Sequence, residues 1–193
     1  MAALVNFDSA GLWQDTLVCD SKIGTALQAL GLQWGRWPQR RSVVGESLDE
    51  ALAAYQDEID TLRGSLSIQS IDRVHVTPGQ AGWPALRAQF VTEHTHADAE
   101  VRFFLGGTGL FYIRRPDGGY VALLCEAQEW IALPAGLPHF FDAGDEPDFD
   151  ALRLFTVPNG WVAQSTGVAR PELPLLDEFV AGLLERQGQQ PAM

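Results

Sequence analysis

The hydrophobic and polar positions change their period twice along the chain. Near the start, "DSKIGTALQALG" puts Ile23, Leu27 and Leu30 on one helical face, with Gly31 placed to stop the helix. In "SLDEALAAYQDEIDTLRG" the residues Leu48, Leu52, Tyr55, Ile59 and Leu62 recur at steps of three and four. Ser47 and Glu50 stand at capping-box spacing before them, and Gly64 follows. Residues 1–64 are therefore expected to be a helical N-terminal addition after a short start.

From residue 66 to residue 157 the pattern becomes one of short strands. "GLFYIRR", "YVALLC", "EWIAL", "HFFD" and "ALRLFTV" lie between turn signals at Pro78–Gly79, Gly106–Gly109, Pro116–Gly119, Pro134–Pro138 and Gly144–Pro147. Regular short strands with such turns predict a mainly β, antiparallel sandwich or barrel, with the jelly-roll barrel the leading candidate. Residues 158–193 form an extension in which "LLDEFVAGLLERQ" is helical and the final "GQQPAM" is expected to fray. The whole is expected to be one domain of 193 residues.

Composition narrows the function. The formal charge of −12 excludes the basic footprint that phosphates need, so neither nucleic acid nor an anionic membrane is an expected partner. An acidic surface keeps a monomer soluble, and a monomer is the expected state. Cys19 and Cys125 are the only cysteines, too few for a disulfide framework. The start "MAALVNFDSAGLW" lacks the basic and apolar regions of a signal peptide. No apolar run approaches the roughly 18 residues of a membrane span. A cytoplasmic location is expected.

The chemistry concentrates in "FVTEHTHADAEVRF". His94 and His96 are two of only four histidines. On a strand they point to one side, with Cα atoms roughly 7 Å apart, so both can reach one ion. Glu100 would lie roughly 13 Å beyond His96 on a straight strand. To join them, the chain must turn at Ala97–Ala99 and start a second strand beside the first. Arg102 shares the face of Glu100, and an inward guanidinium needs an anionic partner, from the protein or from a bound anion. A fourth donor, His139, follows the Pro/Gly turn of "LPAGLPHFFD", and Arg153 in "ALRLF" is a further candidate for the same face. Three imidazoles and a carboxylate suit tetrahedral zinc, or an octahedral Fe(II) or Ni(II) ion that keeps two positions open. His75 has no evident partners and is left outside the set. A His-x-His pair alone is weak, since surface pairs are common. His-x-His-x3-Glu-x6-Gly followed by Pro-x-Gly-x2-His is far more specific.

Those spacings resemble the two cupin motifs, with Gln128 and Ala143 departing at the edges of the second. The segments "FVTEHTHADAEVRFFLGGTGLFYI", "IALPAGLPHFF" and "LRLFTVPNGWVAQSTG" together resemble the acireductone dioxygenases of methionine salvage. The resemblance implies a cupin-type double-stranded β-helix in which His94, His96, Glu100 and His139 bind one Fe(II) or Ni(II). It implies that Arg102 stabilises a dianionic acireductone and that Arg153 is a second pocket arginine. Phe90, Phe141 and Trp161 correspond to apolar pocket residues for the methylthioethyl chain, although core packing would equally explain Phe90. Glu93 corresponds to an acidic position behind the ligands. Ala99 stands where the family usually has an acidic residue, with Asp98 one step earlier.

The activity so implied is cleavage of the acireductone 1,2-dihydroxy-3-keto-5-methylthiopentene by O2. Iron would give 2-keto-4-methylthiobutyrate and formate. Nickel would give methylthiopropionate, carbon monoxide and formate. The alternatives are a cupin dioxygenase or isomerase for another substrate, and a non-catalytic cupin that binds a metal or small anion.

Overall fold

The computed structural model describes residues 2–39, 46–158 and 162–188. Among them are β1 (Ala3–Phe7), β2 (Trp13–Leu17), α1 (Asp20–Gln28), β3 (Gln33–Arg36), α2 (Leu48–Ala54), α3 (Gln56–Leu66) and β4 (Ser70–Val76). There follow α4 (Trp83–Phe90), β5 (His94–Thr95), β6 (Glu100–Arg114), β7 (Tyr120–Glu126) and β8 (Glu129–Leu133). The chain closes with β9 (His139–Asp142), β10 (Phe149–Phe155), β11 (Gln164–Ser165) and α5 (Leu176–Gly188). Trp161 and the terminal residues 189–193 lie outside the described residues. No described helix is long and apolar enough to cross a membrane.

The long strand β6 organises the barrel. Its first part pairs with β8 and β10, giving the antiparallel order β3–β8–β6–β10–β4. Its second part pairs with β7 and β9, giving the order β2–β1–β7–β6–β9–β5–β11. The two arms enclose an apolar core that includes Phe104, Phe111, Phe141 and Phe149. On the outside, α2 and α3 cover the first arm through Tyr55, Ile59 and Leu62 packed on Phe103, Leu152 and Leu154. Helix α5 covers the second through Phe179 and Leu183 packed with Leu110 and Tyr112.

Gly106–Gly109 reads as a turn in sequence but lies inside β6. The β6–β10 register slips there, as an extra residue enters the ladder opposite Asp150 and Ala151. The slip inverts the side-chain alternation, as a bulge must. Val101 and Phe103 face out before it and Leu110 and Tyr112 after it, while Phe104 and Phe111 both face the core. Glycine is required at the crossing. A Cβ on Gly107, which has φ +71°, would stand 1.8 Å from the carbonyl oxygen of Asp148. One on Gly109 would stand 2.4 Å from the Phe141 ring.

The N-terminal segment corrects the helical expectation for residues 1–64. Three strands belong to it, and β1 is hydrogen-bonded into the barrel between β2 and β7. Its nearly continuous burial hides the alternation that would reveal a strand. The capping box at Ser47 and Glu50 forms. The single helix expected after it is interrupted at Tyr55, whose φ of −118° and ψ of 24° separate α2 from α3. Helix α3 passes Gly64 and stops at Ser67, which adopts the left-handed conformation.

Candidate metal centre

Four donors from three strands meet inside the barrel. His94 opens β5, Glu100 opens β6 and His139 opens β9, while His96 lies just past β5. His94 and His139 are direct cross-strand partners. Glu100 does start a new strand after the Ala97–Ala99 turn, but β6 does not lie beside β5, because β9 runs between them. That insertion brings His139 to the other donors. One donor atom from each of the four residues lies within 4.8 Å of all the others. Two ligands opposite each other at roughly 2.0–2.2 Å from an ion are up to about 4.4 Å apart, so only slight closing is needed.

The backbone fixes which nitrogens face the centre. His94 Nδ1 lies 2.7 Å from the Thr92 carbonyl, His139 Nδ1 2.7 Å from the Leu137 carbonyl, and His96 Nδ1 3.2 Å from the Val162 carbonyl. A carbonyl oxygen can only accept, so each Nδ1 donates and each Nε2 is turned to the interior. His96 Nε2 and His139 Nε2 lie 3.2 and 3.0 Å from Glu100 Oε2. Imidazole and carboxylate lone pairs converge on one point, an arrangement a divalent cation satisfies. Burial and the nearby His139 push His94 down to about 4, which keeps it neutral and able to ligate at neutral pH. Burial of Glu100 favours its neutral form, but the positive charge of Arg102 beside it outweighs burial and holds the carboxyl well below its ordinary value.

Glu100 uses its two oxygens separately. Oε2 faces the imidazoles, while Oε1 accepts from Arg102 Nη2 at 2.8 Å. The Arg102 guanidinium stands over two neighbouring aromatic rings, 4.6 Å from the Phe141 centroid and 5.2 Å from that of Phe111. Its Nε and Nη1 are buried without a hydrogen-bond partner among the described residues. Such donors call for an acceptor. Arg153 stands opposite Arg102 in the β10–β6 register and is held by Asp72 through two bonds of 2.7 and 2.6 Å.

A cavity of about 400 Å³ opens on this cluster. His94, Glu100, His139, Arg102 and Arg153 line its polar part, and Phe90 and Phe141 its apolar part. Val74, Leu86, Gln89, Phe111 and Ala163 also line it, and sequence reasoning did not single them out. Leu86 and Gln89 belong to α4, a helix inside the region read as strands. Gly82 followed by Pro84 in the first turn was its available signal. Glu93 is buried next to the cluster, but its carboxylate is held by Tyr120, Thr166 and Arg114 at 2.8, 2.7 and 3.1 Å. Asp98 and Ala99 are both half-buried in the β5–β6 turn, and His75 is exposed on β4.

Barrel topology and an interior set of three histidines and one glutamate define a cupin of the metal-binding kind. Residues 26–163 match the model of the ARD/ARD′ family. The chain belongs to that family, the acireductone dioxygenases. The acireductone dioxygenase of Hahella chejuensis (strain KCTC 2396) is 42% identical over 147 residues, which cover 76% of this chain and 79% of that one. That of Enterobacter sp. (strain 638) is 41% identical over 168 residues, covering 84% and 92%. The solved acireductone dioxygenase from Bacillus anthracis shares the fold, with a TM-score of 0.75 at 24% identity over 85% of this chain and 98% of that one.

Proposed function

We propose that this chain cleaves the acireductone 1,2-dihydroxy-3-keto-5-methylthiopentene with O2 in methionine salvage, using one Fe(II) or Ni(II) held by His94, His96, Glu100 and His139. The observation that carries the proposal is the pairing of the four-donor cluster with two Arg102 donors that have no acceptor among the described residues, in a cavity whose remaining wall is mostly apolar. The Bacillus anthracis relative is described with a cadmium ion in its active centre, which supports a metal at this position. When bound, such an ion offers two oxygens of an ene-diolate a point of chelation and lowers the barrier to their oxidation.

The chain supplies the rest. Arg102 donates from Nε and Nη1 to the substrate anion, in a pocket where Phe111 and Phe141 exclude water and strengthen that attraction. Arg153 adds positive charge, steadied by Asp72. Phe90 and Phe141 hold the methylthioethyl chain; Trp161, which the family resemblance links to that chain, lies outside the described residues. Glu93 acts behind the ligands by fixing the chain that leads into His94. The protein works as a cytoplasmic monomer, which size-exclusion chromatography with light scattering checks.

Iron yields the 2-keto acid and formate, and nickel yields methylthiopropionate, carbon monoxide and formate. The test is elemental analysis of the purified protein, with product identification after reconstitution with each metal. One transition metal per chain and metal-dependent products support the proposal. Absence of oxygen uptake with both metals overturns it.

A further inference from the structure

Helix α4 lends Leu86, Gln89 and Phe90 to the cavity wall, yet it lies outside both arms of the barrel and packs on β9. Eight residues are too few to hold a helix by themselves. Phe90 packs on Phe141, and two side chains fasten the helix by hydrogen bonds. Trp83 Nε1 donates to the Gly144 carbonyl at 2.9 Å. Arg87 Nε and Nη2 donate to Asp142 at 2.6 and 3.0 Å, and Arg87 Nη1 contacts Asp145. Asp142 is fully buried, one residue beyond Phe141 and three beyond His139 on β9. It also accepts the backbone N–H of Leu176, the first residue of α5, at 2.8 Å. One carboxylate therefore ties the cavity helix to the strand that begins at His139 and to the C-terminal helix.

We infer that the Arg87–Asp142 pair is a positioning element that sets tail specificity, because it fixes how far Leu86 and Phe90 stand from the cavity. That the tail is an apolar thioether chain rests on the function proposed above. Arg87 follows Leu86 directly and precedes Phe90 by three residues, so anchor and wall share one rigid helical turn. Dispersion contacts weaken steeply with distance. A gap of roughly 0.5–1 Å forfeits a quarter to a half of each contact. Loosening α4 should therefore weaken grip on the tail. The polar head meets residues on β strands and keeps its contacts.

Binding of two inert carboxylates to the full-length, metal-loaded protein tests the inference. Calorimetric titration compares 4-(methylthio)butanoate with acetate in three proteins: wild type, Arg87→Ala combined with Asp142→Asn, and Arg87→Lys. The double substitution removes both charges, so no buried carboxylate is left alone. Wild type should prefer the thioether acid. The double variant should lose about five- to tenfold of that preference, with acetate affinity and metal stoichiometry unchanged, and the lysine variant should fall between. An unchanged preference, an equal loss for both acids, or no preference in wild type overturns the inference. If the double variant does not fold, the lysine variant decides by the same ratio. Oxygen uptake with the acireductone is measured separately on wild type. Its absence beside a normal tail preference overturns the proposed function and leaves the positioning role standing.

Discussion

The arm β3–β8–β6–β10–β4 carries an arginine paired with a buried carboxylate on each face, and the two pairs are built differently. On the outer face Arg73 donates to both Asp150 oxygens and, through Nη1, to the carbonyls of Glu46 and Ser47. On the inner face Arg102 gives a single donor to Glu100, and its Nε and Nη1 have no acceptor among the described residues. Charge is alike, while burial and completion are not: Arg73 is half-buried and Arg102 is fully buried. Arg73 is finished by the fold and belongs to stability, whereas among the described residues nothing finishes Arg102, which fits the substrate-anion role proposed for it.

The most severe way to break this contrast is to open the donor cluster. His139→Ala should abolish both stoichiometric metal and turnover, as read by elemental analysis and oxygen uptake. Arg102→Met should keep the metal and lower kcat/KM by about 10²–10³, the usual loss for a preorganised donor in a dry site. Equal activity in that variant would sink the assignment. Arg73→Met should do the reverse. It strands the Asp150 carboxylate and should lower stability by about 3–5 kcal/mol, while kcat per folded molecule stays the same. Adding Asp150→Leu should recover much of that loss, which denaturant melts can show.

Glu129 gives the smallest and most pH-dependent case. It is buried beside Arg36 at 2.6 Å, yet burial outweighs the arginine and pushes its carboxyl up from 4.5 to about 7. The folded state therefore takes up a proton between those values, and stability falls as pH rises through the same window. Glu129→Gln cannot ionise. Its melting temperature should equal that of wild type near pH 4.5 and exceed it at pH 8, and a constant difference across that range would refute the point.

Much of the donor cluster was legible because its members sit in short motifs with fixed spacings. Alternation alone placed Glu100 and Arg102 on one face, and the Pro/Gly turn placed His139 at the head of a strand. Less was legible where long-range pairing decides. Strand β1 is buried on both faces, which erases its period, and Gly106–Gly109 carries turn residues but serves as a crossing. The cavity wall was the hardest to read. Val74, Leu86, Phe111 and Ala163 come from four separate elements or loops and look in sequence like ordinary core.

The crossing in β6 has one more effect. Because Gly107 and Gly109 leave no room for a side chain, β6 passes close against the Asp148 backbone on one side of the crossing and the Phe141 ring on the other. Glu100 and Arg102 lie upstream of that seam, and Phe111, with the register that seats His139, lies downstream. A single methyl group at either glycine would shift the downstream half against the upstream half. Two missing carbon atoms, one of them beside the cavity's own Phe141, keep both ends of the reaction chamber in alignment.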